Sequence, residues 1–175
     1  ATASLVSETT ADIVPDELRP RLARFIRDTY GERARALSWK AKAGEDEDTR
    51  LLRRSLLNLV AIRGEDPALG AEAVELARRW LDDPRAIDPD MLNVALGAAA
   101  RNGDRALFER FRDEARASKD RLRRQRLLGA IGAFRDPAIA QDAFKLVLDD
   151  ALDPRESFTV RVGDQIFGLA IDRVH

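Results

Sequence analysis

The side chains that could carry acid–base or metal chemistry are few in this sequence. Two adjacent acidic pairs, Asp82/Asp83 and Asp149/Asp150, stand where predicted helices end, so we interpret them as solvated helix termini. The only histidine is His175, the last residue, and there is no cysteine. A zinc site or a Ser–His or Cys–His triad therefore lacks the donors it needs. We predict no catalytic residue, no metal ligand and no cofactor-binding residue in this chain.

The densest positive charge lies between residues 112 and 126. Its cations are Arg112, Arg116, Lys119, Arg121, Arg123, Arg124 and Arg126. Such a run could meet an anionic partner, such as a phosphate backbone or a peptide carboxylate. Acidic residues within the same run favour a simpler interpretation, an exposed face whose charge is balanced. We take Arg121, Arg123 and Arg124 as the candidate surface contact.

The composition excludes several classes of protein. The 175 residues carry a net charge of −1, which gives no reason to expect a general nucleic-acid or membrane binder. No apolar run is long enough to span a bilayer, and the N-terminus has no signal-peptide pattern. We expect a soluble protein and favour the cytoplasm. Because the chain starts Ala1-Thr2-Ala3-Ser4 without methionine, we also expect it to be part of a longer protein.

The elements that would position these residues are marked by a recurring aspartate. Asp88, Asp104, Asp120, Asp136 and Asp153 follow one another about every 16 residues, and Asp66 and Asp48 extend the series upstream. Several are followed by proline, as at Asp136-Pro137. Aspartate is a good helix N-cap, and proline suits the first helical position. Two such steps give a helical hairpin of roughly 33 residues, a length typical of helical repeats.

The predicted fold is all-α, an α-solenoid of antiparallel helix hairpins of the HEAT/armadillo kind. Residues 1–15 are an extended lead-in, and residues 16–175 form a single helical repeat domain. The predicted helices cover 16–37, 48–63, 66–82, 88–101, 104–118, 120–134 and 136–150. Trp80 lies on an apolar stripe, so we assign it to the core. Trp39 stands at the start of a loop, and its position allows either core packing or binding. In the tail, residues 157–163 alternate like a strand, but we favour a helix because a lone strand would have no partner.

A family resemblance begins at Leu37-Ser38-Trp39, followed by Gly44-Glu45-Asp46 and the helix Leu51-Leu52-Arg53-Arg54-Ser55-Leu56-Leu57. This sequence resembles the C-terminal helical domain of the puromycin-sensitive and alanyl (aminopeptidase N) zinc aminopeptidases. It continues through Trp80-Leu81-Asp82-Asp83 and Arg124-Gln125-Arg126-Leu127-Leu128-Gly129, and it covers roughly residues 16–160. Ser38 stands where that family usually has glycine, and the final family helices are missing after Val160.

The resemblance implies a superhelix that caps a thermolysin-like zinc domain and limits peptide access to an enclosed chamber. Zinc is then expected in the missing catalytic domain, and no catalytic residue of the family maps onto this chain. The implied partners are that catalytic domain and the peptide substrate. An array cut short would leave Phe158, Ile166 and Phe167 exposed or buried against a partner. The alternatives are a free-standing α-solenoid that binds protein or, less in keeping with the net charge, nucleic acid, and a helical enzyme without an evident nucleophile.

Overall fold

A computed structural model of the chain describes residues 14–147, 159–162 and 165–168. The chain divides into two compact units, Ala1–Asn102 and Gly103–His175, which are described separately. In unit 1 the helices are α1 (Arg19–Leu37), α2 (Glu47–Leu57), α3 (Pro67–Asp82) and α4 (Leu92–Asn102). A 3-10 turn, Asp16–Leu18, precedes α1, a π-helical turn, Asn58–Arg63, extends α2, and a second 3-10 turn, Pro84–Ala86, follows α3.

The core of unit 1 depends on small side chains between α3 and α4. Ala73 and Ala77 on α3, and Ala95 and Ala99 on α4, are fully buried. Small residues let two helix axes approach closely, so more backbone atoms come into van der Waals contact. At one point there is no space for even a methyl group, because a Cβ on Gly70 would lie 2.6 Å from the side chain of Asn102.

Unit 2 contains α5 (Arg105–Ala117), α6 (Arg121–Ile131) and α7 (Pro137–Val147). Three phenylalanines lie in its apolar core. Phe134 packs edge to face against Phe108 and Phe111, with ring centroids 5.5 and 6.1 Å apart. Each fully buried phenylalanine contributes about 1.5–3 kcal/mol from removal of its apolar surface from water.

The predicted all-α class is confirmed for residues 14–147, in which every regular element is helical. Helices that are consecutive in sequence pack together, α1 with α2, α3 with α4 and α5 with α6, as stacked hairpins require. The prediction that residues 16–175 form one repeat domain stays a prediction.

The aspartate pattern is confirmed at four helix starts. The carboxylates of Asp66, Asp104, Asp120 and Asp136 each accept a hydrogen bond from a backbone amide in the following first turn.

Two of the predicted helix starts, those at Asp48 and Asp88, are wrong. The N-cap of α2 is Asp46, which accepts from the amide of Thr49 at 2.7 Å, so Asp48 lies inside the first turn. Asp88 precedes a turn, and α4 starts only at Leu92. Asp153 and the pair Asp149/Asp150 lie outside the described residues.

The predicted helix in the tail is wrong. Strands β1 (Thr159–Val162) and β2 (Gln165–Gly168) pair in antiparallel register, with Val160 opposite Phe167. A strand here does have a partner, because the chain returns after only two residues, Gly163-Asp164, a sequence type favoured in two-residue hairpin connections. The side chains of Phe158, Ile166 and Phe167 lie outside the described part, so the prediction of their exposure stays open.

Candidate functional site

The centre of the site is Arg53, on α2. Its side chain is only 1% exposed, and it is the largest of the fully buried side chains. Its two terminal nitrogens, Nη1 and Nη2, both bind the carboxylate of Glu45. Its Nε donates to the carbonyl oxygens of Leu37 and Ser38, each at 3.1 Å. One planar guanidinium thus holds both ends of the loop that joins α1 to α2.

The ion pair keeps both of its members charged. The hydrogen bond from Arg53 lowers the pKa of Glu45 below its ordinary value of 4.5, although removal from water opposes the shift. The same hydrogen bond raises the pKa of Arg53 above its ordinary value, again against the effect of burial. A buried charge is costly unless it is paired and hydrogen-bonded. Here two guanidinium nitrogens bind the carboxylate, and the third donates to two carbonyl oxygens.

Trp39 fixes the same loop to α3. It is buried, and its indole Nε1 donates to the carbonyl oxygen of Leu69 at 3.3 Å. Trp39 is therefore a core residue, and its ring is not exposed for binding a ligand. The preceding residue, Ser38, has φ of 53° and ψ of 174°, a conformation that favours glycine. A positive φ explains why glycine suits this position in the family that the sequence resembles, and it places Ser38 in a strained backbone conformation.

A second set of contacts fastens α1 to the junction between α2 and α3. Arg35 Nη1 lies 2.5 Å from a carboxylate oxygen of Asp66, which is only 2% exposed, and Arg27 donates to the carbonyl oxygen of Gly64. A Cβ on Gly64 would lie 2.6 Å from the carbonyl oxygen of Val60 and 2.9 Å from Ile26. The π-helical turn therefore ends where only glycine fits.

A cleft of about 250 Å³ opens beside Arg53. The residues that line it are Ala41, Arg50, Arg53, Asp88, Pro89, Asp90 and Met91. The carboxylate of Asp88 accepts a hydrogen bond from the amide of Ala41 at 3.4 Å, so the α1–α2 loop is tied to the loop before α4. The cleft offers charges of both signs to a polar group, and its lining includes no hydroxyl, thiol, amine or imidazole side chain. Among the described residues no cluster of three or more His, Cys, Asp or Glu could hold a metal ion.

The predicted surface arginines lie together at the start of α6. Arg121 is exposed, Arg123 Nε pairs with Glu114 at 2.7 Å, and Arg124 Nη1 donates to the carbonyl oxygen of Ser118 at 3.0 Å. The contacts of Arg123 and Arg124 with the end of α5 and the loop after it are those expected of a balanced face. Their role as a contact surface stays a prediction.

In the exposed acidic pair at the end of α3, Asp83 is bound by a neighbouring residue. Asp83 accepts from the backbone amide of Arg85 at 3.1 Å and pairs with its side chain. The backbone hydrogen bond lowers the pKa of Asp83, whereas a general acid needs a raised one.

Sequence reasoning missed the role of Arg53. The available signal was periodicity, because Arg53, Leu56, Leu57 and Val60 form one buried stripe along α2. A buried arginine on such a stripe needs an anion nearby, and Glu45 is one of the two acidic residues in the segment Gly44-Glu45-Asp46 that carries the resemblance. Only the fold shows that the loop returns Glu45 to the guanidinium.

The comparison with known families decides the identity of this architecture. The family described as "ERAP1-like C-terminal domain" matches residues 2–168. The chain belongs to this family. The resemblance inferred from the sequence is therefore confirmed at the level of the family, and the Arg53 site lies inside the matched region of this ERAP1-like C-terminal domain.

Two plant proteins are similar to this ERAP1-like domain. Aminopeptidase M1 of Arabidopsis thaliana is 28% identical over 159 residues, which cover 88% of the chain and 17% of the plant protein. Aminopeptidase M1-A of Oryza sativa subsp. japonica is 29% identical over 172 residues, which cover 94% of the chain and 18% of that protein. The chain thus spans less than a fifth of either relative. Within the described ranges, no helix combines the length and the apolarity needed to cross a membrane.

Proposed function

We propose that this chain is the non-catalytic C-terminal domain of a zinc aminopeptidase, where it caps the active-site chamber and limits which peptides enter. The observation that carries the proposal is the family match over residues 2–168, in a chain that spans less than a fifth of two relatives named aminopeptidases. Its partners are then the catalytic domain of the same polypeptide, which would hold the zinc, and the peptide substrate.

The geometry of unit 1 supports a structural role of this kind. Arg53, Trp39 and Asp88 fix the α1–α2 loop to α2, α3 and the loop before α4. A wall that discriminates between peptides by size must keep its shape when a peptide presses on it. Ties through a bidentate ion pair and a buried indole restrict the loop more than apolar contact alone, because their directions are fixed.

The test uses the full parent enzyme, expressed from the complete reading frame. Metal analysis should find zinc in the parent and none in the 175-residue chain, and only the parent should hydrolyse an aminoacyl-4-nitroanilide. A series of peptides that share one N-terminal residue but differ in length should then be cleaved with a strong length dependence.

A parent shortened by this domain supplies the comparison for the capping role. It should keep hydrolysis of the small nitroanilide, which reports an intact catalytic domain, and lose the dependence on peptide length. Stoichiometric zinc on the isolated chain would contradict the proposal. So would a shortened, active parent whose length dependence is unchanged.

A further inference from the structure

The cleft of about 250 Å³ beside Arg53 joins segments of unit 1 that are distant in the sequence. Its walls are Arg50 and Arg53 on α2, residues 88–91 before α4, and Ala41 in the α1–α2 loop. Hydrogen bonds brace these walls, from Arg53 Nε to the loop backbone and from the amide of Ala41 to the carboxylate of Asp88. The fold therefore sets the shape of the cleft before any ligand enters it.

The charges of the cleft are only partly used within the chain. The guanidinium of Arg53 binds Glu45 and the loop carbonyl groups. Arg50 is exposed, and its guanidinium forms no hydrogen bond or ion pair among the residues that the structure describes. Within the same residues the exposed carboxylate of Asp90 is also unpaired, and that of Asp88 accepts one long hydrogen bond, at 3.4 Å. One guanidinium and two carboxylates thus remain available in a single cleft.

This set of groups matches a small zwitterion. Arginine suits a carboxylate, because its planar fork can donate two parallel hydrogen bonds. Ionised carboxylates only accept hydrogen bonds, so they suit an ammonium group. In an α-amino acid one carbon atom carries both groups, so a single small molecule brings both charges into the cleft. Ala41, Pro89 and Met91 add the apolar surface against which an aliphatic side chain packs.

We propose that this cleft binds a free α-amino acid. Arg50 holds the carboxylate, and Asp88 and Asp90 hold the ammonium group. The side chain of the ligand lies against Pro89 and Met91. A lone cation or a lone anion satisfies only part of the available charge. The inference goes beyond the proposed function and needs only unit 1, although free amino acids are also the compounds that an aminopeptidase releases.

Titration of the 175-residue chain with L-leucine at neutral pH, followed by NMR of the backbone amides, tests the site. We expect saturable shifts of the amides of Ala41, Asp90 and Met91, with a Kd on the order of 1 mM, because the ligand has few atoms. L-leucinamide lacks the carboxylate, and N-acetyl-L-leucine lacks the ammonium group. Each should bind at least about tenfold more weakly than L-leucine, because one set of charge-assisted hydrogen bonds is lost.

Substitutions connect the binding to the named side chains. Arg50→Ala should raise the Kd for L-leucine at least about tenfold, through loss of the carboxylate contact. Asp90→Asn should raise it by about three- to tenfold, because Asp88 still faces the ammonium group. Arg24→Ala is the matched control. It removes the same charge from an exposed position of α1 outside the cleft lining and should change the Kd by less than about twofold.

Three outcomes overturn the proposal. The first is the absence of saturable shifts at the cleft up to about 20 mM L-leucine. The second is binding of L-leucinamide or N-acetyl-L-leucine as tight as that of L-leucine, which marks a site for a lone cation or a lone anion and needs no substituted chain. The third is an equal loss of affinity in Arg50→Ala and Arg24→Ala. Zinc content and hydrolysis are measured on the full parent, so failure of this site and failure of the aminopeptidase proposal are distinguishable.

Discussion

Each of the two compact units is stabilised internally by its own kind of contact. In unit 1 the buried core includes two charged side chains, Arg53 and Asp66, each satisfied by an opposite charge and by backbone groups. In the described part of unit 2 the core is apolar and centres on Phe108, Phe111 and Phe134, while ion pairs such as Arg105–Asp142 stay at the surface.

A buried guanidinium accepts few substitutes, because its partners must present oxygen atoms at fixed positions. An apolar core accepts many side chains of similar volume. The two units should therefore respond differently to matched substitutions.

The largest effect is expected at Arg53. Arg53→Ala leaves a buried carboxylate and two carbonyl groups without their donor, so the free energy of unfolding should fall by about 3–5 kcal/mol. Arg54→Ala is the matched control, one residue along on the exposed face of α2, and should change it by less than about 0.5 kcal/mol. Urea denaturation of the two variants measures both values. Equal losses of unfolding free energy in the two variants would show that the buried contacts of Arg53 add no particular stability.

Conservative substitutions should also destabilise the two units to different extents. Arg53→Lys keeps the charge but not the planar fork, so it should cost about 1.5–3 kcal/mol through lost charge-assisted hydrogen bonds. Phe111→Leu in unit 2 keeps an apolar side chain and should cost only about 1–1.5 kcal/mol. Urea denaturation of both variants measures which loses more unfolding free energy. A larger loss for Phe111→Leu than for Arg53→Lys would contradict the expected difference between the units.

Two glycines should respond in opposite directions. Gly64→Ala in unit 1 places a methyl group 2.6 Å from the carbonyl oxygen of Val60, which should cost about 1–3 kcal/mol. Gly129→Ala in unit 2 meets no atom within 4 Å on an exposed helix position and should stabilise by about 0.5–1 kcal/mol. Thermal unfolding followed by circular dichroism should show shifts of opposite sign. A neutral Gly64→Ala would mean that the π-helical turn adjusts freely.

The strain at Ser38 should be removable. Its φ of 53° suits glycine, so Ser38→Gly should raise the free energy of unfolding by about 1 kcal/mol, the relief of strain less the added chain entropy of glycine. Ser55→Gly, on the exposed side of α2, has the opposite expectation, a loss of about 0.5–1 kcal/mol. If both glycine variants are destabilised alike, the conformation of Ser38 carries no strain.

The smallest expected effect is on the pH dependence of stability. The pKa of Glu45 is lowered in the folded chain, so its contribution to stability is fully present above about pH 4.5 and is lost as the pH falls through the lowered folded value. Glu45→Gln should therefore flatten the acid side of a plot of unfolding free energy against pH.

Asp142 in unit 2 is the comparison for this pH effect. Its pKa is also lowered, first by the hydrogen bond from Arg105, but its side chain is 40% exposed. Asp142→Asn should change the slope less than Glu45→Gln does, because solvent screens an exposed pair. A steeper change for Asp142→Asn would contradict the assignment of the dominant ion pair to unit 1.

Much of the helical framework could be predicted because its signals are local. An aspartate caps the helix that begins beside it, so Asp66, Asp104, Asp120 and Asp136 could be assigned without knowledge of the fold. The same logic failed at Asp48 because two aspartates compete within one turn, and only the geometry of the first turn selects Asp46. It failed in the tail because a strand depends on a partner that a helix does not need.

The sequence by itself determined the helical class, the positions of most helix starts, the lack of thiol and imidazole donors before His175, and the family. Each of these depends on residue type or on neighbours within one helical turn. The tertiary structure alone decided that Glu45 reaches Arg53, that Trp39 binds the backbone of α3, and that Arg50 and Asp90 line one cleft. These depend on which distant residues the chain brings together, because burial and direction are properties of the packed fold and not of the local sequence.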